Sequence, residues 1–506
     1  MPRRLGVLPV SATRSASQRH TRLWLTLGPI GLGLLVVLAF QGSRGLAETS
    51  ETRYAEVARE MLVTGNWLEP SLRFEPHWTK PPFAYWCMAL GMEIFGTNEW
   101  GARLPGALAY LIAVWAVQKS GQVLWSARAG CYAGLAFALG FPVVGAAFVT
   151  TDIYVTATAA VSMLAFVQAR QSSEVSTQRW CIRWMWCALG VGFLIKGPPV
   201  VLPLLAMGAW TYLQPRATRL PLWDGLGVVM FLAIALSWFV WVVLRHPDLL
   251  DYYLGREIVA RVTSDLGHNR QWWKAFPVYL PPMIFAVGAF GPWAAIVAWR
   301  SGWNRWARWK ELWQVRDERL LLVAWITLPL AVFSVSSSKL PFYVLPLAVP
   351  MALLVGHILA TRARWRTVRL TALMSALFVV SLKATAAYQP HPNDMRSAAQ
   401  AASAELQQMA PEAALVVWGE PNNHGLEFYL QLGPHALPEH VLSTTADVFL
   451  ERWNAGAYPQ GVLLVVSERK RDSAAFAAFA ARLPIESERS GSPWRLLRVR
   501  HTIAGG

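Results

Sequence analysis

The sequence has 506 residues, of which 54% are hydrophobic and only 15% are charged, and it contains 27 Trp. Ordinary soluble domains carry about 25% charged residues, so this composition excludes a typical soluble protein and indicates a membrane protein. The formal net charge of +16 does not indicate nucleic acid, because the basic residues cluster in short loops between apolar runs. That pattern is typical of the cytoplasmic loops of membrane proteins.

Apolar runs recur through the first three quarters of the chain. A helix needs roughly 20 predominantly apolar residues to cross a bilayer. The run after the basic N-terminus lacks a small-residue cleavage site, so we expect an uncleaved first helix. We predict eleven to thirteen spans, because 83–95 forms either a further span or a helix at the interface. The eleven predicted spans are 23–42, 103–118, 129–148, 152–169, 184–196, 198–213, 224–244, 277–299, 319–336, 341–360 and 367–387.

The charges of the connecting loops predict the orientation. With the N-terminus in the cytoplasm, every inner loop is basic and the outer segments are mixed in charge. An odd number of spans then places the C-terminal tail outside. In this tail the strand-like runs Ala414–Trp418 and Gly461–Val466 alternate with Ala-rich helical stretches, which favours a small α/β domain.

The predicted fold class is therefore an α-helical polytopic membrane protein with a C-terminal soluble α/β domain. We predict a transmembrane domain at 1–387 with a large first periplasmic loop at 43–102, and a periplasmic α/β domain at 388–506. The expected location is a membrane, which makes membrane lipid a partner and excludes nucleic acid.

Within the first outer loop, the spacing of several residues predicts an amphipathic helix lying on the membrane surface. The alternative is an ordinary solvated helix face. The positions at spacings of three and four are Glu51, Tyr54, Val57, Ala58 and Met61, and the polar side is supplied by Glu48, Glu51, Arg53, Glu56 and Arg59.

Three of the few lysines stand just before prolines that are expected to open helices. They are Lys80 in "TKPPF", Lys196 in "IKGPPV" and Lys339 in "SKLPFY". A helix N-terminus offers free N–H groups and partial positive charge, so an adjacent lysine makes a site for a phosphate. All three lie on the predicted outer side, which favours a shared phosphate-binding region over three separate snorkelling lysines.

Two further outer segments carry polar groups whose burial near a membrane costs free energy. Arg261 and His268 lie beside aromatic residues in the loop 245–276, where they form either an interfacial belt or contacts to a donor phosphate. Asp152, in "VTTDIYV", is an acid at the predicted outer mouth of a span. Acids at such positions are rare without a partner or a function.

The stretch "ETRYAEVAREM…GNWLEP…KPP…YW" is similar to the first outer loop of the aminoarabinose transferase family. That family belongs to the GT-C membrane glycosyltransferases, together with the protein O-mannosyltransferases. The resemblance continues through Asp152, "LIKGP", the Arg261 to His268 region and "SKLPFYVLPLAVP". It implies a polyprenyl-phosphate sugar donor, an acceptor on the periplasmic side, and an acid in the first outer loop acting near the acceptor. It also implies that the protein lies in the bacterial inner membrane and that Lys80 and Tyr343 lie near the donor phosphate.

The sequence departs from the family pattern at two positions. The family usually has Asp-Glu before "xRYAE", whereas this chain has Ser50 and Glu51, so Glu51 or Asp152 is expected to supply the acid, with Glu48 as a further alternative. Thr79 precedes Lys80 where the aminoarabinose transferases often have Glu. The sugar and the acceptor therefore stay open.

Together these observations predict a glycosyltransferase that moves a pentosyl or hexosyl group from a polyprenyl-phosphate carrier, with inversion. The acceptor is lipid A or another glycolipid, a glycan or a protein. The alternative is a flippase or exporter of lipid-linked sugars. No cofactor is required by the sequence, and a divalent cation held by the two acids is left open. The predicted catalytic residues are Glu51 and Asp152, and the predicted donor-phosphate residues are Lys80, Arg53, Tyr54, Lys196, Arg261, His268, Lys339 and Tyr343.

Overall fold

The computed structural model describes residues 10–253, 255, 271–389, 394–491 and 493–500. Contacts between residues divide the chain into two compact units. The first unit comprises Met1–Leu38, Ala107–Ala146 and Thr151–Val380, and the second comprises Ala39–Gly106, Ala147–Thr150 and Ser381–Gly506.

This division differs from the predicted domains, which assigned the loop 43–102 to the transmembrane domain and placed a boundary at 388. In the structure that loop folds with the C-terminal tail as one unit. The physical reason is a set of buried bonds, of which the ion pair between Arg73 and Glu427 is an example, with its atoms 2.7 Å apart. Such contacts join residues far apart in sequence, and hydropathy does not report them.

Helices dominate the described residues. Those of the first half begin where prolines, acids or small polar residues precede apolar runs, as helix N-termini commonly do. In chain order they are α1 (Val10–Leu38), α2 (Ser50–Thr64), α3 (Phe83–Phe95), α4 (Glu99–Leu124), α5 (Ala127–Ala138), α6 (Pro142–Ala147), α7 (Asp152–Gln171), α8 (Val175–Lys196), α9 (Pro203–Leu213), α10 (Gly225–Arg245) and α11 (Leu249–Asp251).

The second half continues the pattern and then changes to short elements in the tail. Four 3₁₀ helices among the described residues lie at Pro198–Val201, Arg216–Thr218, Trp272–Lys274 and Pro341–Leu347. The later α-helices are α12 (Ala275–Ile284), α13 (Phe290–Arg300), α14 (Trp306–Val315), α15 (Glu318–Val335), α16 (Ala348–Arg362), α17 (Trp365–Tyr388), α18 (Met395–Leu406), α19 (Gly425–Leu430), α20 (Ala446–Asn454), α21 (Glu468–Arg471) and α22 (Ala474–Ala480).

Each predicted span overlaps one of these helices, and the segment 83–95 forms the helix α3. Within the described residues, six helical segments are long and apolar enough to cross a membrane unaided, and Arg22–Leu38, Phe83–Phe95 and Pro198–Leu213 are shorter apolar helices. The six are Glu99–Leu124, Asp152–Gln171, Gly225–Arg245, Glu318–Val335, Pro341–Arg362 and Trp365–Tyr388.

Two predicted spans, 129–148 and 277–299, are broken in the middle, and the breaks lie against each other in the first unit. The amide of Phe141 donates to the carbonyl of Phe285 over 2.8 Å. A Cβ at Gly140 would lie 2.2 Å from the carbonyl oxygen of Ala286, and Gly288 has a φ of +54°. Glycine permits both the close backbone approach and the left-handed conformation, so the two breaks stabilise each other.

The tail contains a mixed sheet with the strand order β4-β3-β5-β7-β6. The central strand β5 pairs in parallel with β3 and antiparallel with β7, and a separate hairpin, β1 with β2, lies in the first predicted outer loop. The strands are β1 (Ser71–Leu72), β2 (Glu75–Pro76), β3 (Ala414–Trp418), β4 (Glu439–Val441), β5 (Val462–Ser467), β6 (Ile485–Gly491) and β7 (Trp494–Val499).

Both faces of the strands β3 and β5 are buried. Side chains alternate along a strand, so Val416 and Trp418 of β3 join one hydrophobic cluster with Phe449 and Phe479. Leu415 and Val417, on the opposite face, join a second cluster with residues of α18. Burial on both faces explains why β3 and β5 read as continuous apolar runs, and the prediction of a C-terminal α/β domain is confirmed.

Candidate functional site

Glu51 lies in the first turn of α2 and is only 2% exposed. Its carboxylate pairs with Arg44 over 2.8 Å and with Arg103 over 3.2 Å. It also accepts hydrogen bonds from the amides of Ala47 at 2.9 Å and Val149 at 2.8 Å. Burial by itself would raise the pKa of Glu51, but the charges of Arg103 and Arg44 outweigh it and hold that pKa below its usual value. Glu51 is therefore a fixed anion.

Arg103 organises this network. Its buried guanidinium donates to the backbone carbonyls of Gln41, Arg44 and Gly45 as well as to Glu51. A single arginine from α4 therefore holds the backbone of the segment that leads into α2. The arginines that pair with Glu51 come from positions outside α2.

Most of the polar side of α2 is buried in protein, so the alternative of an ordinary solvated helix face was wrong. Arg59 makes a bidentate pair with Glu56 at 2.7 and 2.6 Å and also donates to the carbonyl of Leu432. Glu48 accepts from the amides of His424 and Gly425 at 3.0 and 2.6 Å. Burial raises the pKa of Glu48 to about 8 and that of Glu56 to about 7.

A second arginine, Arg73 in the hairpin, ties α2 and its hairpin to the tail. Glu60 of α2 accepts from the amides of Arg73 and Phe74 at 2.6 and 2.9 Å. The guanidinium of Arg73 then pairs with Glu427, whose other oxygen contacts His424 at 2.9 Å. Although burial alone would raise it, these partners lower the pKa of Glu427 to about 2. The contacts fix α2 against a structured domain.

A group of cations lies on another part of the second unit. The guanidinium of Arg53 lies 5.3 Å from the centre of the Tyr54 ring. Its Nε is buried without a hydrogen-bond partner in the part of the chain that the structure describes. Burial, together with the nearby charges of Arg53, His424 and Lys80, lowers the pKa of His77 to about 4. Arg53, Tyr54 and Lys80 are thus neighbours in one partly exposed cluster that sequence analysis assigned to the donor phosphate.

His77 was not among the predicted site residues. The imidazole Nε2 contacts the hydroxyl of Thr79 at 2.7 Å. Thr79 stands where the aminoarabinose transferase family often has Glu. A histidine two residues before that position is the signal in the sequence that could have indicated a compensating polar pair.

In the first unit, Asp152 is the first residue of α7 and is 9% exposed. Its carboxylate forms an ion pair with Lys196 at the end of α8. The ammonium of Lys196 also lies 4.5 Å from the centre of the Tyr343 ring, and the Tyr343 hydroxyl lies 3.5 Å from that of Ser338. The structure therefore brings together three of the predicted site residues. Thr151, rather than Asp152, holds the N-cap position of α7.

The lysines before prolines differ from the predicted arrangement in one respect. Pro198–Val201 and Pro341–Leu347, which follow Lys196 and Lys339, are 3₁₀ turns that lead into the α-helices α9 and α16. The Lys339 ammonium donates to the carbonyl of Ser336 at 2.6 Å.

Two predicted donor-phosphate residues, Arg261 and His268, lie outside the described residues. Lys80 belongs to the second unit, and Lys196, Lys339 and Tyr343 belong to the first. A shared phosphate site formed by all of them stays a prediction. In the described part of the chain, no three His, Cys, Asp or Glu side chains are grouped so that they could hold a metal ion.

Comparisons with known proteins agree with this geometry. The sequence model of the dolichyl-phosphate-mannose-protein mannosyltransferase family matches residues 79–241. The structure is similar to that of ArnT from Cupriavidus metallidurans bound to undecaprenyl phosphate, with a TM-score of 0.74 and 23% identity, covering 96% of this chain and 99% of that one. An oligosaccharyltransferase, AglB from Archaeoglobus fulgidus, aligns with a TM-score of 0.53 at 11% identity, covering 96% of this chain and 75% of that one. These two likenesses establish the GT-C membrane fold.

The sequence relatives are undecaprenyl phosphate-alpha-4-amino-4-deoxy-L-arabinose arabinosyl transferases. One from Pseudomonas savastanoi pv. phaseolicola is 30% identical over 447 residues, covering 83% of this chain and 80% of the relative. Another, from Pseudomonas fluorescens Pf0-1, is 31% identical over 345 residues, covering 66% of this chain, and the match spans 59% of that relative's length. With its apolar helices, the chain is a multi-pass protein of the bacterial inner membrane. It belongs to the undecaprenyl phosphate-aminoarabinose arabinosyl transferase family.

Proposed function

We propose that this protein transfers a sugar, with 4-amino-4-deoxy-L-arabinose as the first candidate, from undecaprenyl phosphate to a glycolipid such as lipid A. The observation that carries the proposal is the pair of clusters that hold the predicted site residues. Arg53, Tyr54 and Lys80 gather cations at a partly exposed surface, and Asp152 is held by Lys196 beside Tyr343. The names of the relatives support the sugar and the carrier.

Departure of the carrier phosphate is the first chemical requirement. Negative charge grows on the phosphate as the glycosidic bond breaks, and fixed cations stabilise that charge most where water is excluded. Arg53 and Lys80 supply such cations in the second unit, and Lys196 and Lys339 supply them in the first. Taken separately, Arg53 and Lys80 in the second unit, and Lys196, Lys339 and Tyr343 in the first, are the proposed phosphate contacts.

Orientation of the acceptor is the second requirement. A base must present a lone pair to the acceptor oxygen at about hydrogen-bond distance. Both oxygens of Glu51 already accept hydrogen bonds from arginines and amides, so we assign to Glu51 the task of holding the loop. Asp152, whose partner is a flexible lysine, is assigned to the acceptor. Attack opposite the phosphate would invert the anomeric centre.

The proposed orientation places the N-terminus in the cytoplasm and the tail in the periplasm, as the basic inner loops favour. Binding of a divalent cation stays a prediction. Glu51 and Asp152, the acids that would hold it, already bind arginine and lysine. A flippase would need no acid beside the acceptor, and the transferase names of the relatives do not favour it.

The test supplies membranes containing the protein with undecaprenyl-phosphate aminoarabinose labelled in the sugar and with lipid A as acceptor. Label is expected in the lipid A fraction with wild-type protein and is expected to be lost with Asp152→Asn at matched expression. Label that crosses the membrane while staying on the carrier would instead identify a flippase. Transfer of a different labelled sugar but not aminoarabinose would keep the reaction class and overturn the donor.

A further inference from the structure

A small cavity of about 80 Å³ lies in the first unit, away from the residues assigned to transfer. Its walls come from the end of α9, the end of α14 and the start of α15. The loops at these helix ends are those that the charge pattern predicts to face the cytoplasm. The lining residues are Trp210, Leu213, Trp313, Arg316 and Leu320.

The frame of this cavity is held by hydrogen bonds. Trp210 donates through Nε1 to the carbonyl of Asp317 at 3.3 Å, and the Gln214 amide nitrogen lies 3.4 Å from the carbonyl of Arg316. The carboxylate of Asp317 is occupied by a bidentate pair with Arg319 at 2.6 Å. These bonds position the backbone of Arg316, while its exposed side chain still lines the cavity.

The surroundings carry unbalanced positive charge. Arg308 pairs with Glu311, and Arg319 pairs with Asp317. None of the other cations of this segment forms an ion pair with a described carboxylate, and all of them are exposed. These cations are Arg300, Arg305, Lys310 and Arg316. Such a group favours a negatively charged ligand.

Aromatic side chains surround the same cations. Trp306, Trp309 and Trp313 follow each other at spacings of three and four along α14, so they share one face with the buried Leu312. Trp306 is 81% exposed and Trp313 is 58% exposed. Large exposed tryptophans beside basic residues are typical of a helix lying in the lipid headgroup region.

A buried hydroxyl, that of Thr211, lies next to a cavity residue in the chain. Thr211, next to the cavity residue Trp210 in the chain, is 6% exposed, and its hydroxyl has no hydrogen-bond partner among the described residues. The guanidinium of Arg170 lies 5.6 Å from the centre of the Trp210 ring. The cavity therefore combines an apolar wall with bordering cations, and the Thr211 hydroxyl lies outside its lining.

We propose that this cluster binds one anionic phospholipid of the leaflet next to the predicted inner loops. Its phosphate contacts Arg316, and its glycerol and upper acyl carbons pack on Trp210, Trp313 and Leu213. Basic pockets at helix ends on the cytoplasmic side are known to hold anionic headgroups. The lipid would join α14 to the ends of α9 and α15, which gives it a structural task independent of sugar transfer.

The test adds phosphatidylglycerol, phosphatidylcholine or inorganic phosphate to the whole protein purified in detergent. The unfolding midpoint and the lipid retained in native mass spectrometry are measured. A ligand of the folded state raises the midpoint in proportion to its affinity, so phosphatidylglycerol is expected to raise it, while the other two leave it unchanged. Arg316→Gln is expected to weaken phosphatidylglycerol binding about tenfold, the loss of one charge-assisted contact.

Arg364→Gln is the matched control, because it removes one exposed arginine from another predicted inner loop. Equal weakening by both variants, or equal stabilisation by phosphatidylcholine, would show a general charge effect and overturn the site. Stabilisation by inorganic phosphate alone would assign the site to a free anion instead. Trp313→Phe keeps the aromatic wall and is expected to retain binding, which separates loss of the site from loss of folding.

Discussion

Two buried carboxylates, Glu51 in the second unit and Asp152 in the first, illustrate how surroundings assign roles to the same chemical group. Glu51 is bound by two arginines and two backbone amides, whereas Asp152 pairs with Lys196, whose ammonium also lies over an aromatic ring. Arginine forms rigid forked contacts, and lysine is a point charge on a flexible stem. The arginine-bound acid is suited to holding structure, and the lysine-bound acid is suited to chemistry.

Glu48 adds a third case only three residues before Glu51. Its carboxylate accepts hydrogen bonds from the backbone amides of His424 and Gly425. It also lies near the negative charge of Glu427. Burial is the largest cause of its raised pKa, about 8. Neighbouring arginines keep Glu51 ionised, whereas burial leaves Glu48 able to hold a proton near neutral pH.

The largest expected effect concerns transfer activity. Asp152→Asn is expected to lower the rate of sugar transfer about 10²–10⁴-fold, the usual contribution of a positioned base, with a smaller loss of thermal stability than Glu51→Gln causes. Transfer rate and unfolding midpoint measured on the same preparations decide the point. If Asp152→Asn keeps the wild-type rate and Glu51→Gln loses only activity, the roles assigned to the two acids are reversed.

The second prediction concerns the anchor itself. Arg103→Met leaves Glu51 buried with one of its arginines removed, and breaking a buried pair in this way costs about 3–5 kcal/mol. The measurement is the unfolding midpoint in detergent. Arg482→Met is the matched control, since its pair with Asp447 is mostly exposed and such surface pairs contribute at most about 1 kcal/mol. Equal loss in both variants would contradict a structural role for Glu51.

A third, smaller effect distinguishes the hydrogen bonds of Glu48 from its charge. Glu48→Ala leaves the amides of His424 and Gly425 without their acceptor, which costs about 1–3 kcal/mol when such groups are buried. Glu48→Gln keeps an acceptor oxygen and imitates the protonated acid, so it is expected to retain most of the stability. An unfolding midpoint that is the same for both variants would show that the amides find another acceptor.

The smallest effect is a dependence on pH. Because the folded pKa of Glu48 lies above its ordinary value, its contribution is fully present below pH 4.5 and is lost as the pH rises to about 8. Glu48→Gln is expected to remove that loss, so its unfolding midpoint falls less steeply than the wild type's over this range. Glu56 and Glu60 occur in both proteins and cancel in the difference. Parallel curves would refute a protonated Glu48.

Several features followed from the sequence alone. Apolar length predicted the helices because a bilayer imposes a minimum span, and the strand-like runs at Ala414–Trp418 and Gly461–Val466 predicted a small α/β domain. The motif around Lys80 predicted the family. These are local patterns, in which the neighbouring residues carry the information.

Tertiary structure decided the remaining features, because they depend on contacts between distant positions. Arg103 reaches Glu51 across 52 residues, Lys196 reaches Asp152 across 44, and Arg73 reaches Glu427 across 354. A buried charge selects whichever partner the packing brings within reach, since the cost of leaving it unpaired is large. Only the fold could therefore show that Glu51 is bound by arginines from outside its helix and that the tail encloses the polar side of α2.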